Sequence, residues 1–158
     1  MPHAIVTTAE RLDLVPVTAR WRWEAFAQGQ GRSLAEVTAA ETAGSATAGP
    51  MPRTFVLLVD DEPVGMASLA AHDLELRPDL TPWLAGVFVA PQARRRGHAV
   101  RLVAAVEAEA VARGIPTLWL YTRSAEALYA RIGWRTVETV PYRERVYALM
   151  RRDLPAPM

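Results

Sequence analysis

Val87-Phe88-Val89-Ala90-Pro91-Gln92-Ala93-Arg94-Arg95-Arg96-Gly97-His98-Ala99-Val100-Arg101-Leu102 joins a short β-branched and aromatic run to a proline, an arginine turn with one glycine, and an alanine-rich amphipathic helix. That order describes a strand aimed at a helix N-terminus. The first turn of a helix leaves backbone N–H groups without intrahelical partners and carries the positive end of the macrodipole, so it attracts phosphate. Arg94, Arg95 and Arg96 strengthen the attraction, and the small Gly97 and Ala99 let a diphosphate approach the main chain. Most charge runs are solvated loops, but this one directly precedes Gly97 and a helix, which favours a phosphate neighbourhood.

Two common phosphate motifs fail on the letters. A nucleoside-triphosphate loop needs G-x-x-x-x-G-K-[ST], and the chain has no lysine and no serine or threonine after Gly97. A dinucleotide fingerprint needs three glycines, and this turn has one. The pattern [QR]-x-x-G-x-[GA] does fit, at Arg94, Gly97 and Ala99, with Val-x-Val-x-Pro before it at Val87, Val89 and Pro91. Downstream, the strand-like Thr117-Leu118-Trp119-Leu120-Tyr121-Thr122 leads into A-x-x-L-Y-x-x-x-G-[FW] at Ala125, Leu128, Tyr129, Gly133 and Trp134.

Through these two motifs the chain resembles the GNAT-type N-acetyltransferase family over about residues 54–152. The resemblance implies an α+β three-layer sandwich, with a mixed, mostly antiparallel sheet, helices on both faces, and acetyl-coenzyme A as co-substrate. It implies that backbone amides from Arg95 through Arg96, Gly97, His98 and Ala99 to Val100 hold the pyrophosphate, with one guanidinium on the 3′-phosphate. The coenzyme arm would lie along Val87, Phe88 and Val89, in a gap where that strand splays from the next, and the Val89 amide would polarise the thioester carbonyl. The chain departs from the pattern at three places: Arg95 replaces a glycine, His98 and Ala99 stand where a small aliphatic residue and a glycine are common, and Thr122 replaces an asparagine that usually binds the arm. His98 reads as a solvent-facing first-turn residue.

Amide formation sets the remaining requirements. An acceptor amine resembling a lysine side chain has a pKa near ~10.4 and must lose a proton before it attacks. The leaving thiolate accepts a proton, and Tyr129, the motif's tyrosine, is the residue expected to supply it. The competing reading is a packed phenol on a short helix. For the base, the segment from Trp83 to Val89 offers no ionisable side chain, so the candidates are His72, Asp73, Glu75, Asp79 and Glu24, with Asp73 preferred and an Asp capping a loop as its alternative. Trp21, Trp23, Phe26 and Trp83 are candidates for an acceptor pocket or for core.

Bulk properties agree with one domain over residues 1–158. The chain is 51% hydrophobic and 22% charged with a formal net charge of +1, which gives no reason to expect a nucleic-acid or membrane partner. Cysteine is absent, no metal is expected, and nothing resembles a leader or a spanning segment, so a cytoplasmic protein is expected. The acceptor is read as a small amine or a protein amino group, the oligomeric state is open with a homodimer among the choices, and a non-catalytic acyl-coenzyme-A-binding module is the rival reading.

Periodicity places helices over 11–28, with Pro16 starting or interrupting the first, and from a Ser33 cap onward. A loop is expected over 42–52, a hairpin over 54–69 with its turn at 60–63, a polar connection at 72–82, a helix over 99–113 ended by Gly114, and a last strand over 143–150.

Overall fold

The hydrophobic runs pair into one sheet. The computed structural model describes residues 2–47, 49 and 51–157, with seven strands: β1 His3–Thr7, β2 Arg53–Val59, β3 Glu62–Ala70, β4 Trp83–Val89, β5 Thr117–Thr122, β6 Arg135–Tyr142 and β7 Arg145–Asp153. Four helices accompany them: α1 Val15–Arg22, α2 Leu34–Ser45, α3 His98–Ala112 and α4 Glu126–Arg131. The strand order is β1-β2-β3-β4-β5-β7-β6, and β4–β5 is the parallel pair among antiparallel neighbours.

The sheet is buried on both faces, and β2 shows why. Its alternate residues Phe55 and Leu57 pack beneath Leu102, Val103, Val106 and Ala110 of α3, while Val56 and Leu58 pack with Leu14 on the opposite face. Beyond them, Val15 and Ala19 of α1 meet Val37 of α2. A run without polar alternation is therefore what a strand between two helical layers requires. Near β5 and β7, Trp83, Leu74, Val140 and Leu149 form a further cluster.

Local chemistry sets the element ends. Ser33 and Glu36 form a reciprocal capping box, with the Glu36 N–H on Ser33 Oγ at 3.1 Å and the Ser33 N–H on Glu36 Oε1 at 2.9 Å. Pro16 falls in the first turn of α1, where its missing N–H costs nothing. After α1 the chain continues as a wide π-helical turn over Trp23–Ala27. Gly114, at φ +74°, follows α3 as expected of its terminator.

Three expectations need correction, and one strand was not expected. The predicted loop over 42–52 begins late, because α2 runs on to Ser45; Ala48 and Pro50 of that stretch lie outside the described residues. The hairpin turn is only Asp60-Asp61, both at positive φ, so Glu62 and Pro63 already belong to β3. The single last strand is a β6–β7 hairpin turning at Arg143-Glu144, also both at positive φ. β6 buries only Val140, so it carried no apolar run to read. β1 was also unforeseen: it is a five-residue edge strand, too short to stand out by its own letters, paired to β2 from His3↔Val59 to Thr7↔Phe55.

Candidate active site

β4 and β5 start together and then part. Trp83↔Trp119 is their one paired position, fixed by the Trp119 N–H on the Pro82 carbonyl at 3.1 Å. On its other edge β4 stays joined to β3, but the register shifts opposite Gly86, a glycine at φ +60°. This is a β-bulge, which adds a residue to one strand and bends it. Past the bulge, the Ala90 N–H bonds the Val64 carbonyl at 2.8 Å, so the intervening Gly65↔Val89 pair is of the non-bonded kind. The Val89 N–H and C=O consequently face away from β3, toward the opening. The predicted splay is present; along it the Val89 carbonyl is taken by Arg94 and the Val89 N–H has no strand partner among the described residues.

The turn after β4 presents further unpaired donors. Arg95 at φ +66° and Gly97 at φ +77° both adopt the left-handed conformation, which explains why a glycine is usual at the Arg95 position. The first helical bond of α3 runs from the Arg101 N–H to the Gly97 carbonyl, so the amides of His98, Ala99 and Val100 remain free. No side chain caps this end and no acidic residue sits in its first turn. Among the described residues, none of Arg94, Arg95 and Arg96 pairs with a carboxylate. A Cβ on Gly97 would meet nothing within 4 Å, so the space above the turn is open. These features fit a diphosphate.

The three arginines are not equivalent. Arg94 folds back, donating from Nε to the Val89 carbonyl at 2.8 Å with its guanidinium carbon 5.6 Å from the Phe88 ring centre. It braces the strand end, which leaves Arg95 and Arg96, both exposed, for phosphate. Phe88 turns its ring toward Trp21, 5.4 Å away, and its backbone pairs with Met66 of β3, so it offers the opening neither ring nor main-chain hydrogen bonds. His98 corrects the expectation of a solvent-facing residue: it is 6% exposed, set edge-on to His3 at 5.6 Å, with Nδ1 buried and unpartnered. The unforeseen β1 creates this pocket. Thr122 accepts the Ala125 N–H at 3.1 Å and so starts α4, with its own O–H free for another acceptor.

Two hollows meet at the splay. One, about 530 Å³, includes Val87, Val89, Arg95, Gly97, Ala99 and Tyr129. The other, about 480 Å³, includes Asp73, Gly86, Val87, Tyr121, Tyr129 and Tyr142. Val87, Ser124, Ala125 and Tyr129 line both. Tyr129 is 7% exposed, its hydroxyl has no hydrogen-bond partner among the described residues, and burial pushes its pKa up to about 12. Gly133, at φ +105°, lets the chain after α4 pass the Arg152 guanidinium, where a Cβ would lie 1.5 Å from Nη1. The following Trp134 meets the Tyr129 ring edge-on, with ring centres 6.2 Å apart, and anchors through Nε1 to Glu107 at 2.9 Å.

The carboxylate candidates separate clearly. Asp79 is engaged by Arg77 at 3.2 Å, whose hydrogen bonds hold its pKa below the usual range. Glu75 accepts from the Tyr142 hydroxyl at 2.6 Å and from Arg143 at 3.2 Å. Glu24 pairs with Arg20 at 3.6 Å and lies against the Trp21 side of the molecule. His72 lines a third, smaller hollow behind the splay and not the two that meet at Tyr129. Asp73 lines that smaller hollow and the acceptor side of the splay, and takes no hydrogen bond among the described residues. It is open to water in front and walled by protein behind. Desolvation by that wall raises its pKa to about 6, against a smaller opposing pull from Arg22.

Of the four aromatic candidates, Trp83 is core, fully buried with Nε1 on the Leu80 carbonyl at 2.7 Å. Trp23 bonds the Arg32 carbonyl at 2.8 Å and packs against the α1–α2 core. Phe26, 44% exposed, does line the splay. Sequence reading missed a trio of tyrosines, Tyr121, Tyr142 and Tyr147, whose ring centres are 5.3 to 6.3 Å apart. It also missed Arg22, which a half-buried network holds under the bulge.

A splayed strand pair beside an uncapped, cationic helix N-terminus is the arrangement that the resemblance implies for an acyl-coenzyme A site. The chain belongs to the acetyltransferase (GNAT) family, whose sequence model matches residues 16–134. It is thus an N-acetyltransferase that draws on acetyl-coenzyme A. No curated protein matches the chain. Among solved structures it is similar to an aminoglycoside 6′-acetyltransferase type Ii, with 19% identity, a TM-score of 0.74, and coverage of 99% of this chain and 100% of that one. A GNAT-family acetyltransferase from Streptococcus pneumoniae gives 15%, 0.73, 98% and 100%. An N-acetylglutamate synthase from Neisseria gonorrhoeae, solved with coenzyme A and N-acetyl-glutamate, gives 20%, 0.67, 98% and 36%. At these identities the likeness is one of fold. Among the described residues no helix is long and apolar enough to cross a membrane.

Proposed function

We propose that the chain, acting as a single domain over residues 1–158, transfers acetyl from acetyl-coenzyme A to a primary amine by direct attack within a ternary complex. One observation carries this reading: Tyr129 and Asp73 open onto the same hollow, which joins the coenzyme groove at Val87. The coenzyme supplies an activated thioester. The amides of His98, Ala99 and Val100, with Arg95 and Arg96, hold its diphosphate and 3′-phosphate, while Val89 pairs with its arm. Val89 was the amide expected at the thioester oxygen; Val87, two residues back and on both hollows, is closer to where the groups meet and shares that role. Thr122 contributes its free O–H to the arm.

Asp73 removes the amine's proton, directly or through water, and a pKa near 6 keeps it charged at neutral pH while close enough to act as a base. Tyr129 stays protonated and donates to the departing sulfur. With a phenol at about 12 and a thiol near ~8.5, full transfer is uphill, so the hydroxyl acts mainly by hydrogen-bonding the developing thiolate. The acceptor is a small amine or protein amino group, the site needs no metal, and a cytoplasmic location suits a reaction that consumes acetyl-coenzyme A. Thermal shift with acetyl-coenzyme A in amine-free buffer, followed by thiol release over an amine panel, tests the reading. Stabilisation with amine-dependent release is expected; stabilisation without release from any amine would favour a binding module.

A further inference from the structure

Behind the splay lies a smaller hollow of about 230 Å³, lined by Arg22, Arg32, Glu41, Ser68, His72 and Asp73 among others. It meets the larger hollow at Asp73 and Ala85, which line both. An acceptor seated there presents its amine at Asp73 and faces the β4 bulge.

The free hydrogen-bonding groups of this hollow are mostly cationic. Glu41 is its inner carboxylate, 6% exposed, and both oxygens are engaged: Oε1 accepts from the Thr18 hydroxyl and Oε2 from Arg22 Nε at 3.1 Å. Arg22 Nη2 donates to Ser68 Oγ at 3.1 Å and to Thr54 Oγ1 at 3.4 Å, and those two hydroxyls bond each other at 2.9 Å. Arg22 Nη1 has no hydrogen-bond partner among the described residues. It sits against the bulge, where a Cβ on Gly86 would be 2.4 Å away. The Arg32 guanidinium forms no ion pair among the described residues and is exposed. A planar guanidinium fixed by three other hydrogen-bonding groups, with one nitrogen left over and a second arginine in the same lining, suits a carboxylate. Among the described residues, Asp73 is the one carboxylate of this hollow that takes no hydrogen bond, so a cationic acceptor would find a single free anionic partner. The volume is below the ~300 Å³ at which pockets for drug-sized ligands begin, so the occupant is small.

Resting on the acetyl-transfer reading above, we infer that the acceptor is a small amine bearing a carboxylate, held by Arg22 Nη1 and Arg32 with its amino group at Asp73. Gly86 has a second duty here: besides bending β4, it leaves room for the guanidinium that reads the acceptor.

Matched pairs test this: thiol release from acetyl-coenzyme A is measured with glycine, β-alanine, and the larger amino acids, each beside its own carboxamide. A kcat/KM at least about 30-fold higher for the acids is expected, since a site built to bind a charged group rejects the analogue lacking it. Arg32→Ala should collapse that acid-to-amide ratio toward one, and Arg22→Lys, which keeps charge but loses the fork, should lower it to an intermediate value. If Arg22→Lys does not fold, Arg32→Ala, at an exposed side chain, still decides. Equal rates for acids and amides, a preference for the amides, or a ratio untouched by Arg32→Ala overturns the inference and leaves acetyl transfer standing. No release from any amine, with acetyl-coenzyme A still stabilising the protein, overturns the transfer reading and this inference with it.

Discussion

Tyr129 and Asp73 are shifted in the same direction by the same cause, yet the shift suits opposite roles. Desolvation favours the neutral form of each, which takes the phenol out of titration range and brings the carboxyl to about 6. Tyr129→Phe keeps the ring edge-on to Trp134 and removes only the donor, so kcat should fall by about 10² or more, the usual contribution of a proton donor, while the Tm shift with acetyl-coenzyme A stays the same. A kcat within twofold of wild type would return Tyr129 to a packing role. Asp73 predicts a pH profile: kcat/KM should rise as pH passes up through about 6 and level above it, and Asp73→Asn should lose that limb together with most of the rate. The stability sign is fixed too. Its folded pKa lies above the ordinary carboxyl value of 3.8, so folding binds the proton, and the contribution present below 3.8 is lost as pH rises through 6. Asp73→Asn should therefore raise Tm at pH 8 and progressively less as pH falls toward 4, which differential scanning calorimetry reads directly.

At the level of elements, what was legible in the sequence is what local pattern dictates. The Ser33 cap, the β2–β3 hairpin, β4, α3 with Gly114, and β5 all announce themselves by an apolar period bounded by a turn residue. β1 and β6 do not, because an edge strand is specified by the partner it pairs with more than by its own letters. The site divides the same way. Arg94, Gly97 and Tyr129 belong to short contiguous motifs and can be read from the letters, whereas Arg22 of α1, Glu41 of α2 and Ser68 of β3 come together across separations no motif spans. His98 was misread for a related reason, since its burial depends on His3 far away in the chain. The phosphate turn itself makes a clean prediction. Gly97→Ala places a Cβ in open space, so its cost is the left-handed backbone alone, about 1–2 kcal/mol. That should lower Tm by roughly 2–8 °C for a chain of this size. A larger loss would mean that Gly97 is packed in a way the structure does not contain.

On the scale of the whole molecule, the sheet is held shut at one end of β4–β5 and open at the other, and among the described residues no strand pairing closes the open end. The Val89 N–H, the free amides of α3 and Arg95 and Arg96, which form no ion pair among the described residues, are polar groups left for a ligand, so on the proposed reading the coenzyme would complete the fold's hydrogen bonding as well as supply acetyl. A ligand that binds only the native state adds about 2.7 kcal/mol at a hundred times its Kd. For a domain of this size that is a Tm shift of about 5–10 °C. Because the contributing groups touch the phosphates and the arm, and not the acetyl group, coenzyme A and acetyl-coenzyme A should give shifts within about 1–2 °C of each other at matched saturation. Dephospho-coenzyme A, lacking the 3′-phosphate, should give a smaller shift, and Arg96→Ala should shrink the difference between the two coenzymes. The difference should also shrink in 0.5 M salt, since exposed guanidinium–phosphate attraction is screened. Equal shifts with and without the 3′-phosphate would confine the arginine turn to the diphosphate and remove the guanidinium from the 3′-phosphate contact.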